Sequence, residues 1–274
     1  MKSRQDKNRL IQISGIPEPA DSRDGRRSLG KIAPVELMIR PCCRDQLTDQ
    51  DFEFVADVLA RTRRDRALVQ SLLADPDSRD HLLDHPDLFA AILCTEGLAP
   101  FSANLFFYVL VRRAFLRFDL TDPLLADYCS SLLITFITYH SEPEEREPTH
   151  FAYLIDHLRA LSEASRREVF FLHHQLGNYS LFLTGMFPGY VRYQARHHFG
   201  PGFRYYEDLG AMSFQIAARH EIAASADLAD LLEELAINFR SARRALNHMA
   251  EGYLRLGDEL ERLVVRVGAG QASS

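Results

Sequence analysis

Two stretches of this chain are apolar on nearly every side at once. Residues 102–118 carry Leu105, Phe106, Phe107, Val109, Leu110, Val111, Phe115 and Leu116, and residues 123–139 carry Leu124, Leu125, Tyr128, Leu132, Leu133, Ile134, Phe136 and Ile137. A helix with one apolar stripe needs a cover on one side, whereas a helix apolar all round must be buried all round. The link between them, residues 119–122, is short, so the two should return antiparallel as a hairpin. Neither stretch offers the roughly 18 uninterrupted apolar residues of a membrane span, and residues 101–111 are stopped by Arg112 and Arg113. The hairpin is therefore expected at the centre of a water-facing protein. An unpaired buried charge is very costly, so one of the two arginines should reach solvent and the other should find a carboxylate. Asp119 and Asp127 are the nearest in sequence.

The rest of the chain supplies what surrounds such a hairpin. From Leu47 onward the apolar period is helical almost everywhere, and Leu outnumbers Ile and Val together. Thr48 and Asp51 form a capping arrangement ahead of Phe52 and Val55. Short helices are expected over 66–74, 78–84 and 87–93, with His85 before Pro86 as a boundary. Further helices follow over 151–161, 167–176, 179–184, 190–198, 205–224 and 227–265, with breaks at Gly177-Asn178, 185–188 and 200–202. The last helix carries a stripe from Leu228 to Leu263, with Gly252 and Gly257 weakening its middle. The reading is all-α: a multi-helix bundle with a buried hairpin and a long C-terminal helix, and no sheet.

Three segments are expected. Residues 1–33 hold eight basic and four acidic side chains, a balance of +4 that leaves −10 for the remainder of a chain whose net charge is −6. They read as a flexible basic N-terminal tail, 34–267 as a single all-α domain, and 268–274 as a disordered C-terminal tail. Residues 141–148, acidic and bounded by prolines, read as a hinge or lid. The acidic body argues against a protein that coats nucleic acid. The four cysteines lack disulfide or Cys-x-x-Cys spacing, which points to reduced thiols and the cytoplasm. Cys94 and Cys129 read as core residues, and the adjacent Cys42 and Cys43 as the place where a reactive thiol would be.

Chemistry is concentrated in residues 173–220, where polar side chains alternate with apolar anchors. Those that point inward must find hydrogen-bond partners. If they line a pocket, the ligand-binding residues are His174, Asn178, Tyr179, Arg196, Tyr205, Tyr206 and Glu207. If they hold a metal, the ligands come from His173, His174, His197, His198, Glu207 and His220. Adjacent residues diverge by about 100° on a helix, so one His of each pair would have to meet its counterpart across two helices. Neither His-Glu-x-x-His nor paired Glu-x-x-His helices occur, and phosphate loops and serine-hydrolase elbows are missing as well. No particular cofactor is selected.

The run Leu-Gly-Asn-Tyr-Ser-Leu-Phe-Leu-Thr-Gly-Met-Phe-Pro at 176–188, followed by Tyr205-Tyr206 and Leu209-Gly210, resembles a family of uncharacterised bacterial helical proteins. The resemblance implies a bacterial source and a mostly helical chain; it brings no activity and no catalytic residue. The leading expectation is thus a binding or scaffolding protein, homo-oligomeric through the stripe of its C-terminal helix. The alternative is a metal-dependent helical enzyme, with oxygen chemistry among its options. A weaker alternative is a nucleic-acid-associated regulator acting through residues 1–33 and Arg240, Arg243 and Arg244.

Overall fold

The structure, a computed structural model, describes residues 12–14, 38–95, 98–140, 150–197 and 200–254. In chain order the elements are β1 (Gln12–Ser14), α1 (Asp49–Leu59), α2 (Arg63–Ala74), α3 (Pro76–Leu83), α4 (Pro86–Cys94), β2 (Leu98–Ser102), α5 (Ala103–Leu116), α6 (Pro123–His140), α7 (His150–Ala160), α8 (Arg166–Met186), α9 (Pro188–His197), α10 (Phe203–Ala218), α11 (Glu221–Ser225) and α12 (Ala229–Gly252). The all-α architecture is as expected. The expected hinge at 141–148 and the last helix beyond residue 254 lie outside the described residues. A two-stranded parallel pairing of β1 with β2 adds to the sequence reading, which contained no sheet, and β1 belongs to the segment expected as a tail. None of the described helices is long and apolar enough to cross a membrane.

Local chemistry starts most helices as the sequence implies. Thr48 and Asp51 form a reciprocal capping box at α1, and His85 caps α4 through its ring nitrogen. The Asp51 carboxylate is fully buried and does more than cap. It accepts from the backbone and hydroxyl of Thr48 (2.8 and 2.9 Å) and from those of Ser102 (2.6 and 2.8 Å), and Ser102 is itself the cap of α5. Three of the four bonds fall on Oδ2 and one, from the Ser102 N–H, on Oδ1. One side chain thereby joins the starts of two helices.

The hairpin of α5 and α6 is buried as expected, and its turn ends in Asp119, which adopts a left-handed backbone (φ 61°). That conformation lets Leu120 N–H reach back to the Phe115 carbonyl (3.1 Å), the closing bond of a Schellman turn. Asp227 (φ 56°) repeats the device between α11 and α12, where Leu228 N–H donates to the Ala223 carbonyl.

The buried arginine finds a different acid from those nearest in sequence. Arg112 forks onto Asp84 at the end of α3, with Nε and the second terminal nitrogen each 2.9 Å from a carboxylate oxygen, and donates to the Thr121 carbonyl (2.6 Å). Asp127 is taken instead by Arg44, which also reaches Asp80 at 2.6 Å. Arg113 lies over the Phe89 ring, half-buried. Asp80 and Asp84 stand four apart on α3, so one face of a short helix meets two arginines.

The deepest element is α8. From His174 to Met186 every residue is buried, and α10, α12, α6 and α7 pack around it. The sequence reading split this helix at Gly177-Asn178 and made Gly177 and Gly185 brackets of a short one; the structure corrects this to one helix of 21 residues. The glycines serve approach rather than turning. A Cβ on Gly177 would stand 2.6 Å from the Phe214 ring of α10, and one on Gly185 would stand 2.9 Å from Leu246 of α12. Gly210 of α10 answers from the other side: its Cβ would meet Phe239 at 2.3 Å and Ser180 at 2.9 Å. The segment read as one helix over 205–224 is likewise two, α10 and α11, because His220 starts a new helix by capping Ile222 N–H.

Two substitutions test this account by chemical denaturation. Gly→Ala in a helix interior ordinarily gains about 1 kcal/mol; here Gly210→Ala is expected to lose about 1–3 kcal/mol, the cost of overpacking. Asp84→Ala leaves Arg112 without its carboxylate and is expected to cost about 2–4 kcal/mol, a little under the roughly 3–5 kcal/mol of a fully buried pair because Asp84 keeps a quarter of its surface. Arg112→Met together with Asp84→Ala should recover part of that loss.

Candidate functional site

Residues 173–220 extend from within α8 through α9 and α10 to the cap of α11, and the structure distributes their polar groups among several separate partnerships. The most enclosed is built on α8. His174 and Asn178 are one turn apart and both face Tyr128 of α6; all three are buried. The Tyr128 hydroxyl donates to Asn178 Oδ1 at 2.6 Å. The Asn178 amide lies 3.2 Å from His174 Nδ1, and His174 Nε2 lies 2.9 Å from the Tyr128 oxygen. One assignment of protons satisfies all three contacts: Asn178 donates to Nδ1, and Nε2–H donates to the tyrosine. The result is a closed ring of three hydrogen bonds in a neutral tautomer. Burial pushes the His174 imidazole down to about 4, against a smaller opposing effect of the Ile39 backbone carbonyl. Burial also raises the Tyr128 phenol. A neutral imidazole and a neutral phenol thus hold each other in place between α6 and α8.

The second partnership joins α10 to α12. Glu207, nearly buried, accepts from Arg240 Nε at 3.1 Å. Arg243 Nε approaches its other oxygen to 2.7 Å at an angle too poor for a hydrogen bond, so that contact is an ion pair. Arg243 stacks over Phe203 and donates to Asn247 Oδ1 at 2.7 Å. Asn247 in turn donates to the carbonyls of Thr184 and Gly185, both at 2.6 Å. These carbonyls belong to the last turn of α8, where no helical N–H follows to take them.

The other expected residues fall elsewhere. His173 Nδ1 is 3.4 Å from Ser213 Oγ of α10, and burial lowers its imidazole. His220 uses Nδ1 as a helix cap and Nε2 toward the Arg166 carbonyl. Arg196 and His197 are exposed at the end of α9, and His197 lies against the Tyr193 ring. His198 lies outside the described residues. Tyr179 is buried against Phe136, Tyr206 is buried, and Tyr205 is exposed beside it. The set His173, His174, His197, Glu207 and His220 is thus engaged in different places rather than gathered. Among the described residues no three His, Cys, Asp or Glu side chains come together as ligands of one ion would. His174, Asn178 and, across the interface, Glu207 do converge with other groups, but on each other and on Tyr128, Arg240 and Arg243.

Sequence reasoning missed Tyr128, Asn247 and the Arg44–Asp127 pair as members of these networks. For Tyr128 a signal exists: it is a phenol in the middle of a helix expected to be buried all round, so its hydroxyl must be answered from a neighbour. The cysteines also differ from expectation in one case. Cys129 is buried, but Cys94 at the end of α4 is exposed. Comparison of the chain with protein-family models, with curated proteins and with solved structures finds no match.

The ring around His174 makes stability depend on pH. Its imidazole binds protons in the unfolded chain below its ordinary value of 6.5, whereas the folded chain resists protonation down to about 4. The unfolded state therefore holds more protons between those values, and stability falls as pH drops through that window. Denaturant midpoints measured from pH 7 to pH 4.5 should show a loss of about 2–3 kcal/mol from this group. His174→Leu should start less stable and lose less over the same range; an unchanged slope would remove His174 from the account.

Proposed function

We propose that this is a non-enzymatic binding or scaffolding protein that self-associates through the outer face of α10. The observation that carries the reading is an exposed apolar stripe: Tyr205, Met212 and Ile216 retain 44 %, 50 % and 38 % of their surface on one side of that helix. Their spacing of seven and four keeps them in one line. A line of exposed apolar side chains on the outer face of a helix whose other face is already buried is the kind of surface that a partner covers. In the described part of the α12 stripe, Leu231, Leu232, Leu235, Phe239, Leu246 and Met249 are all buried within the chain, whereas Leu256, Leu260 and Leu263 lie outside the described residues. The oligomer reading therefore moves to α10. A second copy fits the face by charge. Two α10 helices crossing antiparallel near Met212 bring Asp208 of one toward Arg219 of the other, both on the same flank of the stripe.

The polar networks support the same reading, since the groups that a catalyst would keep available are spent on one another. Arg240 and Arg243 face Glu207, which weakens the nucleic-acid alternative. All four cysteines are free, in keeping with a reducing cytoplasm.

Sedimentation or light scattering over a range of concentrations checks the proposal. The protein should gain mass toward a dimer, and Met212→Glu with Ile216→Glu should hold it at monomer mass with unchanged helical content. A strictly monomeric mass at high concentration refutes the interface.

A further inference from the structure

Neighbouring side chains normally diverge, by about 100° along a helix or to opposite faces along a strand. Cys42 and Cys43 converge instead. Their sulfurs lie 3.5 and 3.3 Å from one and the same atom, Ser131 Oγ on α6. The backbone beneath them is anchored to that helix too. Cys42 N–H donates to Ser131 Oγ at 3.2 Å, and Cys43 N–H donates to Asp127 Oδ1 at 2.7 Å.

The hydroxyl between the sulfurs is overcommitted. It has one hydrogen, which goes to the Asp127 carbonyl at 3.0 Å. Two lone pairs remain for three donors: the Cys42 N–H and both thiols. At least one S–H is left with a poor acceptor, so the two thiols crowd a place that satisfies only one of them. A disulfide between them is a strained solution. Consecutive Cα atoms are about 3.8 Å apart, shorter than the 4.4–6.8 Å usual across a disulfide. An atom inserted between the sulfurs widens the ring and removes both thiol hydrogens.

We propose that Cys42 and Cys43 form a two-thiol site for a soft, trivalent arsenical. In the reaction an arsenic oxide, R–As=O, exchanges its oxygen for two sulfurs. Two As–S bonds form, both thiol hydrogens leave with the oxygen as water, and arsenic stays trivalent, so no oxidant or reductant takes part. The sulfur of the half-buried Cys42 attacks the arsenic first. Cys43 is buried, and burial pushes its thiol up to about 12, so it meets reagent from solution slowly. Once arsenic is held on Cys42 the second bond is intramolecular, and the neighbour's high effective concentration drives it. Neither Cys94, exposed on α4, nor Cys129, buried with no sulfur partner at its side, has this geometry.

Phenylarsine oxide added to the full chain, followed by a wash with excess monothiol, tests the site by intact mass. One phenylarsenic per chain should remain, and dimercaptopropanol should release it. Alkylation with N-ethylmaleimide before release should label Cys94 and spare Cys42 and Cys43. Cys42→Ala and Cys43→Ala should each lower retention after the wash by about a hundredfold or more, the loss expected when a two-point attachment becomes one-point. Cys94→Ser should retain the label. Should Cys43→Ala fail to fold, the alkylation map of the unsubstituted chain decides. Loss of all arsenic in the monothiol wash, or alkylation of Cys42 after labelling, overturns the proposal.

Discussion

The burial of α8 on every side sets the terms for the elements around it. From His174 to Met186 the helix has no solvent face, so each polar side chain on that stretch calls for a partner inside the protein. It also has no room to spare where neighbours cross. Neighbours on α6, α7, α10 and α12 answer most of this, Thr184 turns back on the Ser180 carbonyl of α8 itself, and the buried Ser180 hydroxyl has no hydrogen-bond partner among the described residues. Tyr128 closes the ring with His174 and Asn178, and Asn247 takes the last carbonyls. Glycines at 177, 185 and 210 let three helix axes come closer than any side chain would allow. The α5–α6 hairpin packs on this centre from one side; α4 packs on α5, and α1 to α3 are carried by contacts with one another and of α1 with α4 and β2.

Ionic contacts hold the outer layer to the inner one. Asp127 of α6, Arg44 in the turn before α1 and Asp80 of α3 form one chain, and Asp84 of α3 with Arg112 of α5 forms another. Tyr108 lies buried between them with Arg44 over its ring. A long-range pair of this kind gives up hydration on both partners, so its net contribution to stability is small. Its effect is on orientation: it admits one placement of α3 against the hairpin and penalises the others.

How much of this could be read in advance differs from element to element. The hairpin was legible because an all-round apolar helix has a single physical solution. Thr48, Asp51 and His85 were legible because caps act within a few residues of themselves. The continuity of α8 was not, since Gly177-Asn178 is locally a turn signal and only Phe214, far along the chain, explains the glycine. The partner of Arg112 was missed for a related reason: proximity in sequence favoured Asp119 and Asp127, whereas a separate short helix delivers Asp84. In the polar region the composition shows only that many polar side chains lie among apolar ones. What it could not reveal is direction, because residues adjacent in sequence leave α8 and α10 toward different neighbours.

The glycine contacts of α8 have one more consequence. Gly177 receives Phe214 and Gly185 receives Leu246, eight residues apart, a separation of about 12 Å along the axis. Two notches at a set spacing, each engaged by a different helix, index α8 in both rotation and translation, as a keyed shaft is indexed by its collars. A single inserted residue between them would turn one notch away from its key by about 100°. Point changes elsewhere on the helix alter one contact at a time, but a change in the length of this interval would disengage two helices together.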